Sequence, residues 1–86
     1  MNDSERRRIH VQGVVQGVGF RPFVYGLAVR HQLTGFVSNQ SDGVHIEIEG
    51  PRLALDAFER DLKSQPPPLA RLDAIRIEAA RATGDL

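Results

Sequence analysis

An α+β domain with the order strand-helix-strand-strand-helix-strand is what the sequence predicts, and three observations predict it. Apolar residues alternate in the first and third strand-like runs and recur at helical spacing in two other stretches. Each helical stretch begins beside a proline, Pro22 or Pro51, a residue that suits the first turn of a helix. Asp42-Gly43 lies between the second and third strand-like runs and signals a tight hairpin. Two split units in this order pack as an antiparallel sheet with both helices on one face, the ferredoxin-like plait.

Arg8 to Gln12 alternates, with Ile9 and Val11 toward one face and His10 and Gln12 toward the other. After a glycine-rich stretch, Phe23, Val24, Leu27, Ala28 and His31 fall at helical spacing through about residue 32. Gly26 weakens that helix by about 1 kcal/mol relative to alanine, so packing must hold it. Leu33-Thr34-Gly35 ends the helix, and Phe36-Val37-Ser38-Asn39 forms the second strand. The third strand turns Val44, Ile46 and Ile48 inward and His45, Glu47 and Glu49 outward. Gly50-Pro51 breaks it. Leu55, Phe58 and Leu62 then form an apolar helical stripe, with Leu53 and Ala54 beside it, and Gln65-Pro66-Pro67-Pro68 stops that helix. A fourth strand buries Leu72 and Ala74 together with Ile75 and Ile77, in a register that the pattern leaves open.

The domain is expected over residues 8–80, between a polar N-terminal arm (1–7) and a short tail (81–86) without strand pattern. Arg6-Arg7-Arg8, with Asp3 and Glu5 beside it, reads as a short solvated arm. The open sheet face carries His10, Gln12, His45, Glu47 and Glu49; strand spacing fixes no tight ligand set, so a solvated face and no metal are expected.

Composition narrows the function. Lys+Arg and Asp+Glu balance at 11 each, which argues against a nucleic-acid binder. The absence of cysteine excludes disulfides, thiolate metal sites and a cysteine nucleophile, and fits a reducing compartment. The polar first residues lack an apolar signal region, and no apolar run approaches membrane-spanning length. The cytoplasm is the expected location. Lys63 is the only lysine, which removes lysine-dependent chemistry near the glycine-rich stretch.

That stretch, Gly13-Val14-Val15-Gln16-Gly17-Val18-Gly19-Phe20-Arg21, carries the chemistry. A P-loop needs Gly-Lys-[Ser/Thr] where Gly19-Phe20-Arg21 stands, and a dinucleotide fingerprint needs a glycine where Pro22 stands. What remains is a phosphate held by loop amides and one permanently charged guanidinium at a helix N-terminus. Pro22 is expected to hold Arg21 outside the helix in a cap-like conformation. The same stretch also reads as a tight strand-to-helix turn with a solvated arginine. Asn39 ends the second strand, which the plait sets near this loop, and its amide could orient a water; it also reads as a turn-initiating asparagine. No acid or base accompanies these residues. Acyl phosphates suit such a site, because their carboxylate-like leaving group needs no proton.

Two motifs, Gly13-x-Val15-Gln16-Gly17-Val18-x-Phe20-Arg21 and Gly35-Phe36-Val37-x-Asn39-x-x-x-Gly43, resemble those of the acylphosphatases, and with the element order they cover about residues 8–80. The resemblance implies hydrolysis of a small-molecule acyl phosphate without cofactor. Arg21 and the amides of Gln16, Gly17, Val18, Gly19, Phe20 and Arg21 would bind the phosphate, and Asn39 would position the water. Phe20-Arg21-Pro22-Phe23-Val24 and Pro67-Pro68-Leu69-Ala70-Arg71-Leu72-Asp73 are similar to the N-terminal domain of the HypF-type carbamoyltransferases of hydrogenase maturation, as is a third strand one residue short between Gly43 and Gly50. That likeness implies carbamoyl phosphate as substrate and the remaining domains of a larger HypF-type protein as partners. The acylphosphatase fold ends in a further short strand. No strand pattern follows Ala80, so that strand is expected to be missing and the chain to be cut inside a domain boundary. A stand-alone acylphosphatase, a phosphate-binding module without turnover, and a plait used only for protein contacts remain open.

Overall fold

The computed structural model describes residues 4–83. Its elements are β1 (Ser4–Val14), α1 (Phe20–Arg30), β2 (Thr34–Gln40), β3 (Gly43–Pro51), α2 (Arg52–Ser64) and β4 (Arg71–Ala80). The strands form one sheet in the order β2-β3-β1-β4, every neighbouring pair antiparallel. This is the βαββαβ plait, and no fifth strand occurs among the described residues.

Period-two alternation builds the core. Ile9 and Val11 of β1 lie beside Val44, Ile46 and Ile48 of β3 on one sheet face, all buried. Phe20, Val24 and Leu27 of α1 and Leu55, Phe58 and Leu62 of α2 cover that face. Each such side chain removed from water contributes about 1.5–3 kcal/mol before entropy is counted, so this layer holds the domain closed. The hairpin turn is Ser41-Asp42, with Gln40 paired to Gly43.

Two expectations change. The chain joins the sheet at Ser4, so most of the expected arm (1–7) is strand. Arg6 is only 9% exposed; its Nε donates to Glu47 Oε1 at 2.7 Å and its Nη1 to Glu49 Oε1 at 3.0 Å. Arg7 meets Asp56 and Glu59 of α2 at 2.9 and 2.6 Å. Cross-strand charge pairing holds Arg6 in the sheet, and ion pairs to α2 hold Arg7.

The second change concerns β4, where Leu72, Ile75 and Ile77 are half-buried and Ala74 is exposed. Gln12 pairs with Ala74 but Gly13 with Leu72, so Asp73 is left over as a bulge and the alternation breaks there. Gly13 makes the bulge possible: its φ is 139°, and a Cβ would stand 2.1 Å from the Arg71 carbonyl oxygen. Residues 81–83 of the tail form no strand but are held to the sheet. The Thr83 amide and hydroxyl donate to Glu49 Oε1 at 2.8 and 3.1 Å, while 84–86 lie outside the described residues.

Candidate active site

β1 leaves the sheet at Val14, and the chain reaches α1 through Val15-Gln16-Gly17-Val18-Gly19. Burial pins both ends of this loop, with Val15 2% and Phe20 1% exposed. Phe20 also packs against Phe23, ring centroids 5.7 Å apart. Gly17 and Gly19 between them have φ of 74° and 80°, the left-handed region that glycine enters without strain. This backbone leaves the amides of Gln16 through Arg21 without a hydrogen-bond acceptor among the described residues; the first helical bond runs from Phe23 N to Gly19 O at 3.2 Å. Consecutive free N–H groups at the positive end of a helix make an anion-binding concavity.

Arg21 lies inside the first turn of α1, not ahead of it as the proline led us to expect. The pre-proline bias against helix is a preference, and the burial of Phe20 overrides it. Pro22 is tolerated because a first-turn N–H has no intrahelical acceptor to lose. The Arg21 side chain is exposed and unpaired among the described residues. Arg6, Arg7, Arg8, Arg30, Arg52, Arg60 and Arg71 all meet carboxylates instead. A guanidinium left unpaired beside free amides can pair with an anion by charge-assisted hydrogen bonds.

Asn39 sits on β2 opposite Val44, hence on the helix-bearing face, and is exposed. Gln16 connects its hairpin to the loop: the side-chain Nε2 donates to Gln40 O at 2.6 Å and to Gly43 O at 3.4 Å. The structure therefore brings loop and hairpin together, although no hydrogen bond joins Arg21 to Asn39 among the described residues. The tether itself was missed in the sequence, where Gln16 stood only for its amide. A groove between the two segments is lined by Gln12, Val14, Gln16, Ser41 and Asp42. The separate cleft between α1 and β2, walled by Tyr25, Val29, Phe36 and Ile48, has no charged side chain and offers an anion nothing.

On the other sheet face, His10 and His45 stack at 4.3 Å beside Asp42. The His45 hydrogen bond holds the Asp42 carboxyl below its usual range. Reading Asp42 only as a turn residue missed this group. His31 is engaged elsewhere, donating to Asp61 at 2.9 Å across the helix pair.

A free-amide loop, a first-turn arginine and a plait together define a class. The acylphosphatase family model matches residues 7–86, and the chain belongs to that family, one of hydrolases. The chain is 51% identical over 80 residues to the carbamoyltransferase HypF2 of Cupriavidus necator, covering 93% of this chain and 10% of that protein. It superposes on a full-length HypF, crystallised in a phosphate- and nucleotide-bound form, with a TM-score of 0.95 at 39% identity, covering 98% of this chain and 11% of that one. Against the acylphosphatase of Bacillus subtilis the TM-score is 0.86 at 40% identity, over 93% of this chain and 89% of that one. The chain thus resembles one domain of HypF and spans about a tenth of those relatives' length. No helix among the described residues is long and apolar enough to cross a membrane.

Proposed function

We propose that this chain hydrolyses an acyl phosphate, with carbamoyl phosphate as the substrate, at the loop formed by residues 16–21. The single observation that carries the reading is the run of unpaired amides from Gln16 to Arg21 beside the unpaired Arg21 guanidinium. The amides and Arg21 hold the phosphoryl oxygens and neutralise their charge as the transition state develops. The Asn39 side-chain amide holds the attacking water. A bond forms from the water oxygen to phosphorus as the bond to the acyl oxygen breaks, and the water proton passes to a phosphoryl oxygen. Carbamate leaves with the electron pair and needs no acid. Likeness to a HypF domain supports the carbamoyl group and a place within a larger HypF-type protein. The lack of cysteine fits a cytoplasmic setting.

The test is phosphate release from benzoyl phosphate and carbamoyl phosphate by the chain, with folding checked by circular dichroism. Arg21→Ala and Asn39→Ala should each lower kcat by about 100-fold or more. Inorganic phosphate should still inhibit the Asn39 variant and no longer inhibit the Arg21 variant. Equal use of both substrates would favour a general acylphosphatase. Phosphate binding without release from a folded chain would make this a capture module and refute turnover.

A further inference from the structure

The open face of the sheet holds a second constellation that phosphate chemistry does not use. His10 and His45 are cross-strand partners on β1 and β3, their rings stacked at 4.3 Å and inclined by 24°. Both Nε2 atoms turn toward Asp42 of the hairpin turn. His45 Nε2 donates to Asp42 Oδ1 at 2.8 Å; His10 Nε2 donates to the Asp42 carbonyl oxygen at 2.8 Å and lies 3.6 Å from Oδ2. One ligand atom from each residue fits within a span of 4.8 Å, and no other trio of such side chains does so among the described residues.

We propose that His10, Asp42 and His45 form a binding site for a borderline transition-metal cation of the Zn²⁺, Ni²⁺ or Cu²⁺ class. Two imidazole nitrogens and one carboxylate oxygen match those ions and not Mg²⁺ or Ca²⁺, which prefer all-oxygen shells. The spacing fits as well. A tetrahedral ion with bonds of about 2.0–2.2 Å sets its ligands roughly 3.4 Å apart. His45 Nε2 lies 2.8 Å from Oδ1 and His10 Nε2 3.6 Å from Oδ2 of the same carboxylate, so a small rotation of Asp42 brings one oxygen to about that distance from both nitrogens. The cation would replace the protons now pointing at Asp42, and the imidazole rings would splay from their stack so that both lone pairs converge. Asp42 is 57% and His45 34% exposed while His10 is only 17% exposed, so the first two make most of that adjustment. Solvent completes the shell on the open side. Sequence position hid the site because the third ligand comes from the turn and not from the strand alternation.

The experiment titrates the untagged chain with ZnCl₂ by calorimetry, and with CuCl₂ by electron paramagnetic resonance. One ion should bind per chain, the copper spectrum should carry splitting from two imidazole nitrogens, and the melting midpoint should rise with zinc. His10→Gln, His45→Gln and Asp42→Asn should each weaken zinc at least about tenfold, since even outer-shell partners of bound metals matter that much. His31→Gln, whose ring is held by Asp61, should bind as the parent does. Asp42→Asn keeps the main-chain carbonyl that His10 uses, so it retains the turn if a histidine variant fails to fold. A parent chain without saturable one-to-one binding would overturn the assignment. So would undiminished binding by a folded His45→Gln or Asp42→Asn chain, which would leave the trio as a hydrogen-bonded turn cap.

Discussion

Replacing Arg6 by alanine discriminates between a buried ion pair and a solvated arm, because the two differ sharply in cost. In the folded chain the Arg6 guanidinium bridges Glu47 and Glu49, and Glu49 is only 3% exposed. Breaking one side of a buried pair costs about 3–5 kcal/mol, since the remaining charge stays desolvated. Part of that is offset here: Glu49 keeps the two Thr83 donors and Glu47 keeps Arg8 at 3.3 Å. The expected loss is therefore about 2–3 kcal/mol, a large share of the roughly 4–13 kcal/mol available to a domain of this size. At about 4–8 °C per kcal/mol the melting midpoint should fall by about 10–20 °C. The control is Arg8→Ala, where a guanidinium 51% exposed should contribute about 0.5 kcal/mol or less. Adding Glu49→Gln to Arg6→Ala should recover part of the loss. Thermal melts of the four chains decide it. If Arg6→Ala melts within about 3 °C of the parent, the pair stabilises nothing and the arm reading returns.

Gly13→Ala should destabilise by at least about 2 kcal/mol in a urea titration, because the new Cβ meets the Arg71 carbonyl at a φ that alanine resists. Gln16→Ala should lower kcat on benzoyl phosphate about tenfold while costing only about 1 kcal/mol, since the tether positions the loop more than it stabilises the fold. Steady-state rates beside thermal melts separate the two effects. Acid should unfold the domain in a defined window. His31 holds the Asp61 carboxyl below its ordinary range, and Arg6 does the same for Glu47. The unfolded chain therefore binds protons first on acidification. The stabilisation is complete above the ordinary carboxylate values and is lost as pH falls through the lower folded ones. Urea midpoints measured between pH 7 and 2 should drop steeply below about pH 4.

The plait was legible because its signals are local. Alternation at Val44, Ile46 and Ile48 and the stripe Leu55, Phe58 and Leu62 each declare a buried face within one element. The left-handed glycines of the loop were equally visible, since Gly17 and Gly19 stand just ahead of a helix. What stayed hidden depends on partners far along the chain. Arg6-Arg7-Arg8 looked solvated because Glu47, Glu49 and Glu59 are not its sequence neighbours. The register of β4 depends on a bulge that appears only once Gly13 faces Leu72. The Gln16 tether and the Asp42 histidine pair are likewise products of the closed sheet. Arg21 was misplaced for the opposite reason, a local rule losing to burial of Phe20.

The strand order also fixes a sequence of assembly. β1 is made first, yet it lies between β3 and β4, and Arg6 pairs with Glu49 on one side and with Ala80, at the far end of β4, on the other. The β2–β3 hairpin can close on its own in microseconds. One edge of the central strand stays unpaired instead, through seconds of synthesis at about 5–20 residues per second, until β4 has left the ribosome. Removing β4 would not trim a periphery; it would strip one whole edge from the central strand. The glycine-rich loop follows directly from the end of that strand, where Val14 pairs with Arg71, so the last ladder to close is the one that fixes where the loop begins.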